Sequence, residues 1–228
     1  MYQLFIANKN YSSWSLRPWV LMRELAIPFE ERLVPFAPSS RERFREFSPT
    51  AKVPCLHDGS TVVWDSLAIA EYLAERHRGV WPANGAARAW ARCAAAEMHS
   101  GFTTLRERCT MNCGIRVGLD EIPDALTWDL ERLDELWNDG IGRFGGPFLA
   151  GTSFTAADAF FAPVAFRVQT YRLKLEPAAA SYVARLLALP SMQAWQAAAL
   201  AETWRDASHE AEVSRAGTIL EDLRASGR

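Results

Sequence analysis

The stretch KVPCLHDGSTVVWDSLAIAEYL, residues 52–73, decides the fold class. VPCL is a short apolar run that carries a proline, HDGS supplies turn formers, and TVVW is rich in β-branched residues. Two strands joined by so short a turn are expected to be antiparallel neighbours. Asp65 or Ser66 then stands where an N-cap belongs, ahead of a helix expected to run to about His77. The stretch therefore predicts a β-β-α unit.

The residues before this stretch supply the other half of a domain. YQLFIA, residues 2–7, has the composition of a strand, and the turn formers NKNYSS break it. Apolar residues then follow helical spacing over residues 13–26, and FEERLV, residues 29–34, alternates apolar and polar side chains. The charged residues 39–47 indicate an irregular loop with a short helix. Residues 1–78 are therefore predicted to form a β-α-β-α-β-β-α domain of the α+β class.

Beyond a linker at residues 79–85, the pattern changes and no convincing strand appears, so residues 86–228 are predicted to be all helical. In the segment SFTAADAF, Thr155 and Asp158 have the spacing of a capping box, and the helix that follows contains Pro163. The polar residues at the end are expected to fray. Besides that helix, helices are expected over residues 86–110, 122–137, 182–189 and 191–201.

Composition and charge argue against several functional classes. The 228 residues are 49% hydrophobic, enough to bury substantial cores, and 25 basic against 27 acidic side chains leave a formal net charge of −2. So balanced a charge gives no field that would attract nucleic acid or anionic lipid. No apolar run approaches the roughly 20 residues that span a bilayer, and no signal peptide is recognisable. We therefore expect a soluble, cytoplasmic protein with neither nucleic acid nor membrane as a partner.

The cysteines and histidines indicate no metal site. Without an export signal, the cysteines are expected to be reduced: Cys55, Cys93, Cys109 and Cys113. Two of them have the i, i+4 spacing of one helix face, but no further ligand completes a metal set. The histidines show neither metal-ligand nor Ser–His–Asp spacing, so structural or surface roles are expected for all of them: His57, His77, His99 and His209.

Three hydroxyls lie where the first helix is predicted to begin: Ser12, Ser13 and Ser15. A helix N-terminus has free N–H groups and the positive end of the helix dipole, so it stabilises an anion placed there. A serine hydroxyl at this position could also donate a hydrogen bond to that anion. Simple capping of the helix by these serines is the alternative.

Two further pairs of residues are candidates for binding a peptide-like ligand. A cis Val53–Pro54 bond would turn the strand and leave the backbone N–H and C=O of Val53 free to pair with an extended peptide. An ordinary trans proline at a sheet edge is the alternative. Asp65 and Ser66 could meet a ligand that carries both an ammonium and a carboxylate, and simple helix capping is again the alternative.

In this order, the motifs resemble those of the glutathione transferase family. SSWSLR is similar to the SSCSWR signature of the zeta class, and KVPCL to the family's strand with a cis-proline. WDSLAIAEYL resembles the helix with an acidic-Ser-x-Ala-Ile start, and FTAADAFFAP the capping box of the second domain. The resemblance extends over nearly the whole chain. It implies a thioredoxin-like N-terminal domain followed by an all-α domain.

The resemblance also implies site residues. Ser12 would supply the catalytic hydroxyl, because it stands five residues before Arg17, the same separation in sequence as in the zeta signature. Ser13 is the alternative for this role. Glutathione would be bound by Lys52 at its glycine carboxylate, by Val53 and Pro54 along its cysteinyl backbone, and by Asp65 and Ser66 at its γ-glutamyl end. The candidates for the second-substrate pocket are Tyr11, Trp14, Met98, Phe102, Met111 and Phe161.

Two positions depart from the zeta pattern: Trp14 stands where the signature has cysteine, and Asp65 replaces the commoner Glu or Gln. The resemblance to the superfamily is therefore closer than the resemblance to the class.

The activity implied is that of a detoxification enzyme, a homodimer with glutathione as co-substrate and no metal. It would add the glutathione thiolate to a small electrophile or use it to isomerise one, and peroxidase activity is left open. A non-catalytic adaptor of the same fold, binding protein partners through its helical domain, is the alternative. A thiol–disulfide oxidoreductase would need a cysteine at the first turn, where only serines stand.

Overall fold

The computed structural model of the protein describes residues 1–225. Its N-terminal domain contains a four-stranded sheet in the order β2-β1-β3-β4, in which β1 is parallel to β2 and antiparallel to β3. The predicted β-α-β-α-β-β-α order is confirmed. Its elements are β1 (Tyr2–Ile6), α1 (Ser13–Glu24), β2 (Phe29–Leu33), α2 (Ser40–Arg45), β3 (Cys55–Asp58), β4 (Thr61–Trp64) and α3 (Ser66–Ala74).

Local sequence explains the sheet. Leu4 and Ile6 on β1 are fully buried, as alternation in a central strand requires, and Leu56 on β3 is buried beside them. The β3–β4 hairpin turns at Gly59, whose φ of +58° lies in the left-handed region that favours glycine. The antiparallel pairing predicted for these two strands is confirmed.

The second domain is predominantly helical, as predicted. Helix α7 is its central element, because nearly all of its residues are buried and it packs against α1, α4 and α8. The predicted capping box is present at the start of α7, between Thr155 and Asp158. Within residues 1–225, no helix combines the length and apolarity needed to cross a bilayer. The helices are α4 (Gly85–Ser100), α5 (Thr103–Arg108), α6 (Asp124–Phe144), α7 (Ala156–Tyr171), α8 (Pro177–Leu187), α9 (Pro190–Ala201) and α10 (Ala207–Ala216).

The helix predicted over residues 86–110 is in fact two helices, α4 and α5. The chain breaks at Gly101, where a Cβ would lie 2.9 Å from the carbonyl oxygen of Glu97, and at Phe102, which has a φ of +53°. The alanine-rich stretch ends at Ala96, before the break, and the glycine at position 101 was the local sign of it. Helix α6 also runs beyond the predicted end at residue 137.

The expectation that the second domain contains no strand is wrong. β5 (Ile115–Leu119) and β6 (Gly217–Asp222) form a two-stranded antiparallel sheet. The expectation of a frayed C-terminal segment is wrong over residues 207–222, which form α10 and β6, and its last part, residues 226–228, lies outside the described residues. The two strands approach so closely that a Cβ on Gly217 would lie 2.0 Å from the carbonyl oxygen of Gly118.

The loop between β1 and α1 is fastened to the helical domain by the buried carboxylate of Glu202. The backbone N–H groups of Lys9 and Asn10 donate to its two oxygens at 2.6 and 3.3 Å. The indole N–H of Trp195 donates to the carbonyl oxygen of Lys9 at 2.9 Å. Burial raises the pKa of Glu202, and the N–H donors oppose that shift. These bonds fix the backbone that leads into the first turn of α1.

Candidate functional site

Two cavities lie side by side, one of about 720 Å³ and one of about 460 Å³. The larger cavity is bordered by the first turn of α1, by α2, and by side chains of α5, α7 and α10. The smaller cavity lies against the start of β3 and the start of α3. A ligand that fills the smaller cavity would border the larger one, because the two share part of their lining: Trp14, Thr50, Lys52 and Val53.

The serines of the first turn, Ser12 and Ser13, line the larger cavity. Ser12 occupies the N-cap position of α1, yet its side chain makes no capping hydrogen bond, so the capping alternative does not describe it. Its Oγ instead lies 2.6 Å from the Oγ of Ser15, which accepts the backbone N–H of Ala7 at 3.3 Å. Within residues 1–225 the Ser13 hydroxyl makes no hydrogen bond.

This arrangement can leave the Ser12 proton free for a ligand. A hydroxyl has one proton to donate and two lone pairs that accept. With Ser15 accepting from Ala7, its own proton can be donated to the Oγ of Ser12, which makes Ser12 a better donor to a third group. An anion in the larger cavity near the first turn would be such a group.

At the smaller cavity, the Val53–Pro54 peptide bond is cis, as predicted. Pro54 immediately precedes β3 and does not belong to the strand. Within residues 1–225 neither the N–H nor the C=O of Val53 pairs with another backbone group. Both groups are therefore available to an extended peptide ligand.

The start of α3 adds two polar groups to the smaller cavity. Asp65 is the N-cap of α3 and its Oδ1 accepts the backbone N–H of Leu67 at 2.8 Å, so capping applies to this residue. Its φ of +74° is unusual for a residue with a side chain. The other carboxylate oxygen of Asp65, Oδ2, lies 3.5 Å from Nε2 of His99. Ser66, which is 1% exposed, has a buried hydroxyl with no hydrogen-bond partner within residues 1–225.

Positive charge surrounds Trp14, which lines both cavities. The guanidinium carbon of Arg17 lies 4.1 Å from the Trp14 ring centroid, and that of Arg106 lies 5.4 Å from it. Nε and Nη1 of Arg17 are buried without a hydrogen-bond partner among the described residues. Burial lowers the pKa of Arg17 to about 9, and the charges of Arg167 and Arg106 act in the same direction. An anion near the start of α1 would relieve this uncompensated charge and be stabilised by it.

The residues expected to bind glutathione all line the smaller cavity: Lys52, Val53, Pro54, Asp65 and Ser66. The candidates for the second-substrate pocket divide into two groups. Tyr11, Trp14 and Met111 line the larger cavity. The rest do not line it, because they point inward and are buried in the core of the helical domain: Met98, Phe102 and Phe161.

Sequence reasoning missed most of the lining that α10 provides. His209 was expected to be a surface or structural residue, yet it lines the larger cavity and stacks on Tyr11. The Tyr11 hydroxyl donates to Oε1 of Glu210 at 2.6 Å, and this hydrogen bond holds the Tyr11 side chain against α10. A local signal for this helix existed, because Asp206 stands three residues before His209 and caps α10.

Among the described residues, no group of three or more His, Cys, Asp or Glu side chains is placed to hold a metal ion. All cysteines are free, and only Cys93 is exposed. Burial raises the pKa of Cys55 to about 11 and that of Cys109 to about 12, so these thiols are poor nucleophiles.

Comparison with known proteins relates both the sequence and the fold to a family. The family model described as Glutathione S-transferase, N-terminal domain, matches residues 11–76. A dichloromethane dehalogenase from Methylorubrum extorquens is 43% identical over 61 residues, which are 25% of this chain and 21% of that protein. The match to this relative thus spans only about a fifth of the relative's length.

Two other similarities extend over most of the chain. A probable maleylacetoacetate isomerase from Caenorhabditis elegans is 26% identical over 180 residues, covering 74% of this chain and 79% of that protein. The crystal structure of a glutathione transferase homologue from Burkholderia GL BGR1, with bound glutathione, matches with a TM-score of 0.65 and 25% identity. That match covers 87% of this chain and 97% of the other.

Proposed function

Because this chain belongs to the glutathione transferase family, we propose that it binds glutathione in the smaller cavity and activates its thiol for attack on an electrophile in the larger one. The observation that carries this proposal is the arrangement of the two cavities. The five residues expected to bind glutathione line one cavity, and both candidate catalytic serines line the adjoining one. The shared lining at Trp14, Lys52 and Val53 is where the thiol would lie.

Each part of glutathione has a matching group in the smaller cavity. The free N–H and C=O of Val53 suit the cysteinyl backbone, which would pair with this segment as a short extended strand. The unpartnered Ser66 hydroxyl suits the γ-glutamyl carboxylate, and the half-exposed carboxylate of Asp65, whose Oδ2 lies 3.5 Å from Nε2 of His99, suits its ammonium. Lys52 is available for the glycine carboxylate.

We assign thiolate stabilisation to Ser12, with Ser15 as a positioning residue. A thiol of pKa about 8.5 is mostly protonated at neutral pH, and lowering that pKa by about two units requires about 2.7 kcal/mol. A hydroxyl hydrogen bond to a charged acceptor contributes roughly 1.5–3 kcal/mol, and the helix dipole adds roughly 0.3–1 kcal/mol. The uncompensated charge of Arg17 acts in the same sense. Together the hydrogen bond and the dipole give roughly 1.8–4 kcal/mol, a range that includes the required value of about 2.7 kcal/mol.

The larger cavity suits an electrophile with an apolar body, because Phe36, Phe44 and Met111 line it. The thiolate sulfur would attack carbon there, with displacement of a leaving group or with addition to a double bond. The similarity to a probable maleylacetoacetate isomerase agrees with the zeta-like SSWSLR motif and keeps isomerisation among the candidate reactions.

The proposal also includes a role in detoxification, a cellular compartment and an oligomeric state. We place the protein in a reducing, cytoplasmic compartment, which its four free cysteines favour. We also expect a two-fold homodimer. Light scattering should then give twice the 25.5 kDa mass of the chain, and the monomer mass at micromolar protein would contradict this expectation.

A titration with glutathione, followed by turnover with an aryl halide, tests the proposed function. We expect saturable binding in the millimolar range or tighter and glutathione-dependent release of halide. A protein that ignores millimolar glutathione would contradict the proposal and favour a non-catalytic adaptor.

A further inference from the structure

We propose that His209, oriented by Asp206, is the acid–base residue of the larger cavity and protonates the product when glutathione adds to an α,β-unsaturated carbonyl compound. This inference rests on the proposed function, since it concerns the second substrate of the same site. It adds a catalytic residue from α10, a helix outside both the glutathione motifs and the thioredoxin-like domain.

The protonation pattern of the imidazole follows from its partner. Nδ1 of His209 lies 2.7 Å from Oδ2 of Asp206, which also accepts the backbone N–H of His209 at 3.2 Å. A carboxylate oxygen only accepts hydrogen bonds, so Nδ1 carries a proton. Nε2 is left as the working nitrogen, and within residues 1–225 it has no hydrogen-bond partner. A carboxylate that orients an imidazole in this way is the usual support of a histidine that transfers protons.

The ring also packs against two aromatic side chains. Tyr11 stacks on it with a centroid distance of 4.9 Å and an interplanar angle of 18°, and Phe36 contacts it at 4.9 Å and 32°. Tyr11 is itself fixed by its hydrogen bond to Glu210, whose carboxylate is paired with Arg224. Tyr11 adjoins Ser12, and both residues line the larger cavity with His209. The imidazole is therefore rigidly placed in the cavity that the first-turn serines border.

Two other polar side chains that line this cavity, Tyr11 and Arg167, are less suited to proton transfer. The Tyr11 hydroxyl already donates to Glu210, and burial raises the pKa of Tyr11 far above its ordinary value. Arg167 donates through Nη1 to the carbonyl oxygens of Arg106 and Cys109, so it serves to hold the end of α5. Among the described lining residues, His209 alone carries an imidazole, the side chain best matched to acid–base chemistry near neutrality.

The reaction that needs such a group is conjugate addition. The thiolate sulfur forms a bond to the β-carbon, and the electron pair of the carbon–carbon double bond moves toward the carbonyl as an enolate. The Nε2–H of protonated His209 then gives its proton to the α-carbon, and the neutral imidazole takes up a proton from water to restore the starting state. Displacement of a halide from an aryl halide expels the halide as an anion and requires no proton. His209 should therefore accelerate addition far more than substitution.

The test compares the two reactions in His209→Gln. Glutamine keeps a hydrogen-bonding group beside Asp206 but transfers no proton. With glutathione and an unsaturated ketone, we expect kcat/KM to fall by about 10²–10⁴-fold, the range typical of general acid–base groups. With glutathione and an aryl halide, kcat/KM should fall far less, because substitution requires no proton, and urea unfolding should show that the variant is folded. His77→Gln is the matched control, because His77 contacts Tyr2 and does not line this cavity.

Asp206→Asn is the second variant, since it keeps an acceptor for the cap and for Nδ1–H but removes the charge. It should lower addition by a smaller factor and again affect substitution far less. Equal losses on both electrophiles would overturn the inference, because His209 would then support glutathione binding or the fold. Unchanged addition in both variants would also overturn it, as would a wild type that processes the halide but not the ketone. A wild type that binds no glutathione would instead overturn the proposed function, and this inference with it.

Discussion

Removing the hydroxyl of Ser66 should weaken glutathione binding and leave the unliganded fold intact. Ser66 is 1% exposed and its hydroxyl has no partner within residues 1–225. A buried hydroxyl in that state costs about 1–3 kcal/mol, so Ser66→Ala should leave the free energy of unfolding unchanged or raise it. A structural serine would behave in the opposite way, because its removal would break an existing hydrogen bond.

The magnitude of the binding loss follows from the charge of the acceptor. A hydrogen bond from Ser66 to the γ-glutamyl carboxylate is worth roughly 1.5–3 kcal/mol. At about 1.4 kcal/mol per tenfold, the Kd for glutathione should rise roughly 10- to 100-fold in Ser66→Ala.

Calorimetric titration with glutathione gives the Kd, and urea unfolding of the unliganded protein gives the stability. Ser60→Ala is a matched control, since Ser60 lies exposed in the β3–β4 turn and lines neither cavity. An unchanged Kd would refute the reasoning, and so would a fall in the free energy of unfolding alongside the loss of binding.

Two further predictions concern the helical domain. Asp158→Asn should lower the free energy of unfolding by about 1–3 kcal/mol, because an amide cannot accept both from Leu149 N–H and Tyr182 O–H on one oxygen and from Thr155 N–H on the other. For a chain of this size that is a fall in Tm of roughly 2–10 °C in thermal unfolding, with unchanged glutathione affinity, and an unaltered Tm would contradict it. In native protein an aromatic disulfide reagent should modify Cys93 rapidly and the three buried thiols only after denaturation. A second fast thiol, or fast modification that persists in Cys93→Ser, would show that the burial described is wrong.

The features that sequence analysis predicted are those set by neighbouring residues. The cis bond at Val53–Pro54 depends on proline chemistry, and the cap at Asp65 depends on a short polar side chain before a helix. The hairpin needs a glycine at Gly59, which the sequence supplies. Signals of this kind are read within a few residues. Together with the resemblance to glutathione transferases, they predicted the order of elements in the first domain and the residues that line the smaller cavity.

The features that were missed depend on contacts between distant segments. Every residue of β6 after Gly217 is exposed, Ile219 and Leu220 included, so no buried face marks this segment. Its pairing with β5 and the close approach at Gly217 make it a strand. Apolar spacing shows that Phe161 is buried but not whether it faces the core or a cavity. The role of His209 depends on α10 folding back over Tyr11, and no pattern near residue 209 encodes that contact.

The larger cavity was therefore only partly predicted. The part of its lining that comes from the first turn of α1 was identified, since Tyr11, Trp14 and the two serines are close in sequence. The parts of the lining that come from α5, α7 and α10 could not be identified from sequence, because only the packing of the second domain brings Arg106, Arg167 and His209 together.

The central claim is that the Ser12 hydroxyl stabilises the glutathione thiolate. It is tested most directly by the thiolate absorbance of bound glutathione, followed from about pH 5 to 10 in wild type, Ser12→Ala and Ser13→Ala. In wild type the pKa of the bound thiol should lie about two units below its free value of about 8.5. Ser12→Ala should raise it by roughly one to two units while glutathione still binds, since the lost bond is worth roughly 1.5–3 kcal/mol, and Ser13→Ala should leave it in place. If the pKa of the bound thiol rises only in Ser13→Ala, then Ser13 stabilises the thiolate instead. If it rises in neither variant, the central claim is contradicted.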